Sequence, residues 1–214
     1  MKILLVTLLH PLPTNAARGT FVADHAQLLR ELGHDVRIIN PLPRLLKYME
    51  QSRSTLTGVA KAPKHFEHNE FQIYAPRYVA YTEHPYPWLT SRSIRNRRRS
   101  IEKWLGKWRP EHIIAHTLWP VGELAQALAT RWKVPWTGVV HGHDIDVGLS
   151  HATTGKKIKS LMQSASSMVF ASDKLRETAE ASGVKPNKAY TIACHSEMDD
   201  CLLYTSPSPR DLAQ

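Results

Sequence analysis

Cysteine is nearly absent. Only Cys194 and Cys201 occur in 214 residues, which excludes a disulfide framework and makes a reducing cytosol the expected setting. No apolar run approaches the ~18 residues that cross a bilayer as a helix. The first apolar run, Leu4 to Leu9, is too short for a secretory signal, and no small-residue cleavage site follows it. Gly-x-Gly-x-x-Gly is also missing, so a nicotinamide-type site is not supported. There is no internal repeat. Acidic residues are scarce: 19 Asp and Glu against 28 Lys and Arg leave a formal charge of +9. That excess points to an acidic counterpart, whether nucleotide phosphate, a membrane surface or nucleic acid.

What is present is a globular composition, 42% apolar, with a regular alternation of signals. Ile3 to Leu9 is a continuous apolar run, as in a strand covered on both faces. A proline-rich loop leads to Arg18-Gly19. Phe21, Val22, His25, Leu28, Leu29 and Leu32 then recur at helical spacing, with Thr20 as N-cap and Gly33 as the stop. His34 to Ile39 is the next strand, completing a βαβ unit. Residues 41–67 read as irregular. Phe71 to Tyr74, His112 to Thr117, Val134 to His141, Ser167 to Ala171 and Ala189 to Ala193 read as strands. Helices are expected over Trp88 to Trp108, Pro120 to Trp132, Thr154 to Ser164 and Leu175 to Ser182. Alternation of this kind predicts an α/β fold, a Rossmann-like doubly wound and mainly parallel sheet.

The segment SRSIRNRRRSIEKWLGKWRP (91–110) holds eight Arg and Lys, with Ile94, Ile101, Trp104, Leu105 and Trp108 at helical intervals. A basic amphipathic helix with tryptophans fits an anionic membrane surface. The same pattern fits a solvated basic face with its aromatics in the core. No fold motif of nucleic-acid binding accompanies the charge.

VVHGHDIDVG (139–148) places His141, Gly142, His143 and Asp144 just after an apolar strand, at the carboxyl edge where open α/β sheets bind ligands. A zinc reading of His-x-His fails against the metallo-β-lactamase pattern. That pattern needs Asp and then His at the positions held by Ile145 and Asp146. His143 and Asp146 read as solvated loop residues. His116 ends another strand at the same edge. Ser172 follows the strand VFAS and reads as the cap of the next helix.

Four segments together resemble the N-terminal half of a family 4 glycosyltransferase of GT-B architecture, most of all the bacterial cell-surface polysaccharide, teichuronic-acid-type enzymes. They are KILLVT with RGTFVADHAQLLRELGHDVRII, then HIIAHTLWPVGELAQALATRWKVPWTGVVHGHDIDV, then ASSMVFASDKLRETAEASGV, and KAYTIACHSEMDD. Two departures stand out. The first loop has Arg18-Gly19 where the family usually has paired glycines. His195 to Asp199 stands where an Asn-Gly-Val-Asp-like turn is usual.

The resemblance implies that residues 1–200 form the acceptor-side domain and that a donor-binding domain with a paired-glutamate motif is missing. It implies transfer from a nucleotide-sugar donor to a lipid-linked or polysaccharide acceptor, with retention, without a metal and without a cofactor. His141 is implied to be the catalytic residue, hydrogen-bonding near donor sugar and acceptor. Gly19 is implied to touch the donor diphosphate, with Arg18 adding charge-assisted bonds. Gly142, Asp144 and His116 are implied substrate contacts, His116 being equally readable as structural. A cytoplasmic protein, peripheral on the inner face of the plasma membrane, is expected. A stand-alone basic module binding a membrane or polyanion, or a GT-B-like sugar-nucleotide epimerase, stays open.

The tail CLLYTSPSPRD (201–211) matches the translation of a transposon-type sequencing adapter. Residues 201–214 are therefore expected to be non-native, the natural sequence breaking off near Asp200 in a bacterial gene, and residues 1–200 alone to be inactive.

Overall fold

The computed structural model describes residues 1–45, 56–80 and 87–193. Cys194, the 195–199 turn and the 201–214 tail lie outside the described residues. In chain order the elements are β1 (Lys2–Thr7), α1 (Thr20–Glu31), β2 (Asp35–Ile39), β3 (Leu42–Pro43), β4 (His65–His68), β5 (Phe71–Tyr74) and β6 (Arg77–Tyr78). There follow α2 (Pro87–Arg95), α3 (Arg98–Leu105), β7 (His112–His116), α4 (Val121–Trp132), β8 (Trp136–Val140), α5 (Gly155–Ser164), β9 (Ser167–Phe170), α6 (Asp173–Ala181) and β10 (Ala189–Thr191).

Eight strands form one sheet in the order β10-β9-β8-β7-β1-β2-β5-β4. Each pairing in it is parallel except β4 with β5, an antiparallel hairpin at one edge. The doubly wound α/β class read from the sequence is the one observed. β1 explains why its sequence is apolar throughout. Leu5 faces α1 and packs with Val22 and Ala26, while Leu4 and Val6 enter the larger cluster on the opposite face. At about 25 cal/mol per Å² of apolar surface, a strand buried on both faces contributes to the core from both sides.

Three local expectations are corrected. Helix α1 is capped by Gly19 with no side-chain bond, so Thr20 is its first residue and not its cap. Its buried residues are Val22, Ala23 and Ala26, whereas Leu28 and Leu32 are exposed, because the alanines let the helix lie close to the sheet. The stretch 41–67, read as irregular, contains β3 and the first three residues of β4. β4 is an edge strand with no fully buried residue, so hydrophobicity could not reveal it. Gly33 behaves as expected, ending α1 with φ 82° and an N–H donated to Arg30 O at 2.9 Å.

The basic stretch is two helices, not one. Arg97 N–H reaches back to Ile94 O at 3.0 Å, closing a turn between α2 and α3. That break lets Ile94, Ile101, Leu105 and Trp108 all enter the core. Trp104 packs beside them, stacked on Tyr74 with ring centres 5.6 Å apart. Trp108 donates its indole N–H to Asp35 Oδ2 at 2.7 Å. The tryptophans of the expected membrane helix therefore serve the interior.

Trp108→Ala should destabilise the chain by about 3–5 kcal/mol, and Trp108→Phe, which keeps one aromatic ring and loses the pyrrole part with its N–H, by less, about 1–2 kcal/mol. Urea unfolding of the two variants checks this. Equal small losses would return Trp108 to the surface.

Candidate functional site

The chain leaves β1 toward β2 on one side, and leaves β7 toward β8 on the other. β1 and β7 are neighbours, with Thr7 paired to His116 at their carboxyl ends. This is the point where the winding reverses, the place where doubly wound sheets open a ligand crevice. His116 ends β7 here, and His141 directly follows β8.

The two residues are in contact. His116 Nδ1 lies 2.9 Å from His141 Nε2, with the rings only 7° from parallel. A ring N–H lies in the ring plane, so this pair sits edge to edge and not face on face. The other nitrogen of His116, Nε2, lies 2.8 Å from Nδ1 of His25 on α1. Phe21, one helical turn before His25, closes on His141 with ring centres 4.8 Å apart. Sequence reasoning placed His25 only on the apolar face of its helix and missed this role. Its position toward the amino end of a helix that starts at the carboxyl edge of the sheet was the available signal.

All three imidazoles are held toward the neutral form. Burial lowers His116 well below its ordinary value, and the neighbouring His141 and His25 lower it further. Burial, then His25, lowers His141 to about 4, and burial lowers His25. The nitrogens bond one another instead of converging on one point. Among the described residues no set of three His, Cys, Asp or Glu is arranged to hold a metal ion.

Asp144 faces inward from a short π-helical turn, Asp144–Gly148, and is 5% exposed. Its Oδ2 accepts from Leu118 N at 3.0 Å, and its Oδ1 accepts from Trp119 N at 3.3 Å. It thus ties the loop after His141 to the loop after His116, which is a structural task. Burial pushes its carboxyl up to about 6, with the two backbone bonds pulling the other way. Gly142 starts the turn at φ 90°, and its carbonyl accepts from Ile145 N and Asp146 N. His143 and Asp146 are exposed, as expected, but His143 caps the π-helical turn and Asp146 lies within it and not in a loop.

The first loop turns in on itself. Arg18 is buried, and its guanidinium donates to the carbonyls of Leu8 and His10. Burial lowers it to about 10. Gly19 has φ 63°, and a Cβ there would come within 2.6 Å of Leu9 C and 2.8 Å of His10 N. Glycine is thus required by the loop's own backbone as well as by its left-handed conformation. Arg18 and Gly19 lie together with His10, which is fully buried, its Nε2 without a hydrogen-bond partner among the described residues, and lowered by burial to about 4.

Away from this edge, Arg92, Arg95, Asn96, Arg98, Arg99 and Ala127 line an open concavity of about 640 Å³ between α2, α3 and α4. Ser172 caps α6, its Oγ accepting from Leu175 N at 3.3 Å, as read from the sequence.

The family model of the glycosyl transferase 4-like domain matches residues 18–195. The chain belongs to that family. It is 26% identical over 188 residues to the teichuronic acid biosynthesis glycosyltransferase TuaC of Bacillus subtilis, covering 84% of this chain and 46% of TuaC. The chain thus spans about half the length of that relative. Among solved structures it is similar in fold to a sucrose-phosphate synthase segment from Thermosynechococcus elongatus, with TM-score 0.61, 13% identity and 99% of each chain covered. It is similar to HepE of Anabaena, solved with UDP and glucose, with TM-score 0.55, 13% identity, and 99% of this chain on 48% of that one. A UDP-N-acetylglucosamine 2-epimerase from Rickettsia bellii shares the fold at TM-score 0.52 and 13% identity, all of this chain matching 49% of it. The GT-B half expected from the sequence is the fold found.

The neutral histidines set a pH dependence. Unfolded, a histidine protonates below about 6.5; folded, His10 and His141 resist to about 4 and His116 further. In that window the unfolded chain binds more protons, so stability falls as pH falls, by up to about 1.4 kcal/mol per unit for each fully buried ring. Asp144 has the opposite sign between about 6 and 3.8, because its folded form holds the proton longer. Histidines outnumber it. The unfolding free energy should fall by about 4 kcal/mol from pH 7 to pH 5, read by denaturant titration at each pH; an unchanged value would mean the rings protonate in the folded state.

Proposed function

We propose that this domain is the acceptor-side half of a glycosyltransferase that moves a sugar from a nucleotide donor to a lipid-linked or polysaccharide acceptor, with retention and without an obligatory metal. The carrying observation is His141, bonded to His116 at the switch point of the sheet and held uncharged by burial and by His25. Transfer of a glycosyl group passes through a positively charged, oxocarbenium-like centre. An imidazolium beside it would repel that charge. A neutral ring can instead give or take a hydrogen bond with a sugar hydroxyl. Such a site works by positioning and electrostatics, not by covalent chemistry. The carbohydrate expectation is supported by TuaC, a relative described as acting in teichuronic acid biosynthesis. Gly19, at the start of α1, adds the backbone N–H groups of a helix N-terminus, which suit a donor diphosphate. Arg18 contributes by shaping that loop, since its guanidinium is already engaged with Leu8 and His10.

The test is release of nucleoside diphosphate from sugar nucleotides, dependent on added acceptor, by the complete polypeptide encoded by the source gene. His141→Ala should lower kcat about 100-fold, in the range of a lost acid–base or hydrogen-bonding partner. A wild-type rate would return His141 to the structural residues. Residues 1–200 alone should not turn over.

No helix among the described residues is long and apolar enough to cross a membrane. We infer a cytoplasmic protein that docks on anionic lipid through Arg92, Arg95 and Arg99, which are exposed beside the open concavity. At about 1 kcal/mol per surface cation, changing all three to Gln should weaken partition onto phosphatidylserine vesicles about 100-fold. Flotation at low and high salt checks it, and binding that ignores both salt and the substitutions would sink the proposal.

A further inference from the structure

His25, His116 and His141 run as one hydrogen-bonded line from α1, through the carboxyl end of β7, to the loop after β8. The atoms that meet are His25 Nδ1 with His116 Nε2, and His116 Nδ1 with His141 Nε2. His116 is 2% exposed and spends both its nitrogens on its neighbours. The two outer rings are only partly buried. Phe21 lies against both His116 and His141, at 6.3 and 4.8 Å between ring centres, and covers the line with an apolar face.

A neutral imidazole has one N–H and one bare nitrogen. Two bare nitrogens cannot share a contact of 2.8 or 2.9 Å, and neither can two N–H groups. The line therefore has only two consistent arrangements. If His25 donates from Nδ1, His116 accepts on Nε2 and donates from Nδ1, and His141 accepts on Nε2 and carries its proton on Nδ1. If His141 donates from Nε2, His116 accepts on Nδ1 and donates from Nε2, and His25 accepts on Nδ1 and carries its proton on Nε2. In the first arrangement all three rings are Nδ1–H. In the second all three are Nε2–H.

We propose that the three histidines form a tautomer-locked chain, in which His25 and His116 are positioning residues that set which nitrogen of His141 carries the proton. Both act through His141, His116 with its two nitrogens engaged by the neighbouring rings. The hydrogen-bonding state of a ring on α1 is thereby transmitted to a ring at the crevice without movement of the backbone. The burial that keeps all three rings neutral supports the arrangement, because an added proton would break the alternation. The chain can also pass a proton without gaining charge. Starting from the Nε2–H arrangement, a proton bonds to Nδ1 of His141. The Nε2 proton of His141 crosses to His116, that of His116 crosses to His25, and the Nε2 proton of His25 leaves. One proton enters, one departs, and the chain is left in the Nδ1–H arrangement.

The test needs no sugar nucleotide, so it stands apart from the proposed transfer reaction. The 214-residue chain, isotope-labelled in its histidine ring nitrogens, is studied by long-range proton–nitrogen correlation spectra at neutral pH. The three rings should be neutral and share one tautomer. His25→Leu should move the ring nitrogen signals of both His116 and His141. His25→Asn, whose amide sits where Nδ1 was, should restore the native pattern. Opposite tautomers among the three rings of the unsubstituted chain would overturn the proposal. So would a His141 signal that does not move in a folded His25→Leu protein. If His25→Leu does not fold, the tautomers of the unsubstituted chain decide alone.

Discussion

The structure depends on β1 pairing in parallel on both of its edges. With β2 on one side and β7 on the other, β1 must be covered on both faces, and the chain must wind away in two directions. The switch point is a consequence: the two crossovers diverge between β1 and β7, and the loops that follow β7 and β8 meet at that edge. Thr7 and His116 are paired there by register alone. A shift of one residue would turn His116 to the other face of the sheet and separate it from His25.

Much of this was legible. A long apolar first run, a Gly-His turn and repeated strand–helix alternation carry the period-2 and period-3.6 signals that define the class. His116 and His141 were identifiable because each sits where an apolar strand stops. What was not legible depended on distance through space. His25 looks like any residue on a helix face until α1 is laid over β7. Arg18 looks like a free cation until the loop folds back and offers it the carbonyls of Leu8 and His10. Asp144 looks like a substrate-facing carboxylate, yet the nearest unsatisfied donors are the N–H groups of Leu118 and Trp119. Loop carboxylates near a crevice are ambiguous for this reason: helix starts and ligands present the same kind of donor.

The basic segment shows the same limit in another form. Its composition suits a lipid surface, and its spacing suits a core helix. The helix breaks at Arg97, so that Ile94, Ile101, Leu105 and Trp108 turn inward while Arg92, Arg95 and Arg99 stay outside. Helical periodicity predicts which residues share a face, but a kink in the middle can change what that face meets.

The uncharged histidine line and the arginine concavity respond to dissolved ions in opposite ways. At physiological ionic strength charges are screened over about 8 Å. Attraction between Arg92, Arg95 or Arg99 and any anionic partner is weakened by added salt. Bonds among three neutral, largely buried rings have no net charge to screen. Ionic strength therefore acts on the arginine concavity and leaves the histidine line intact.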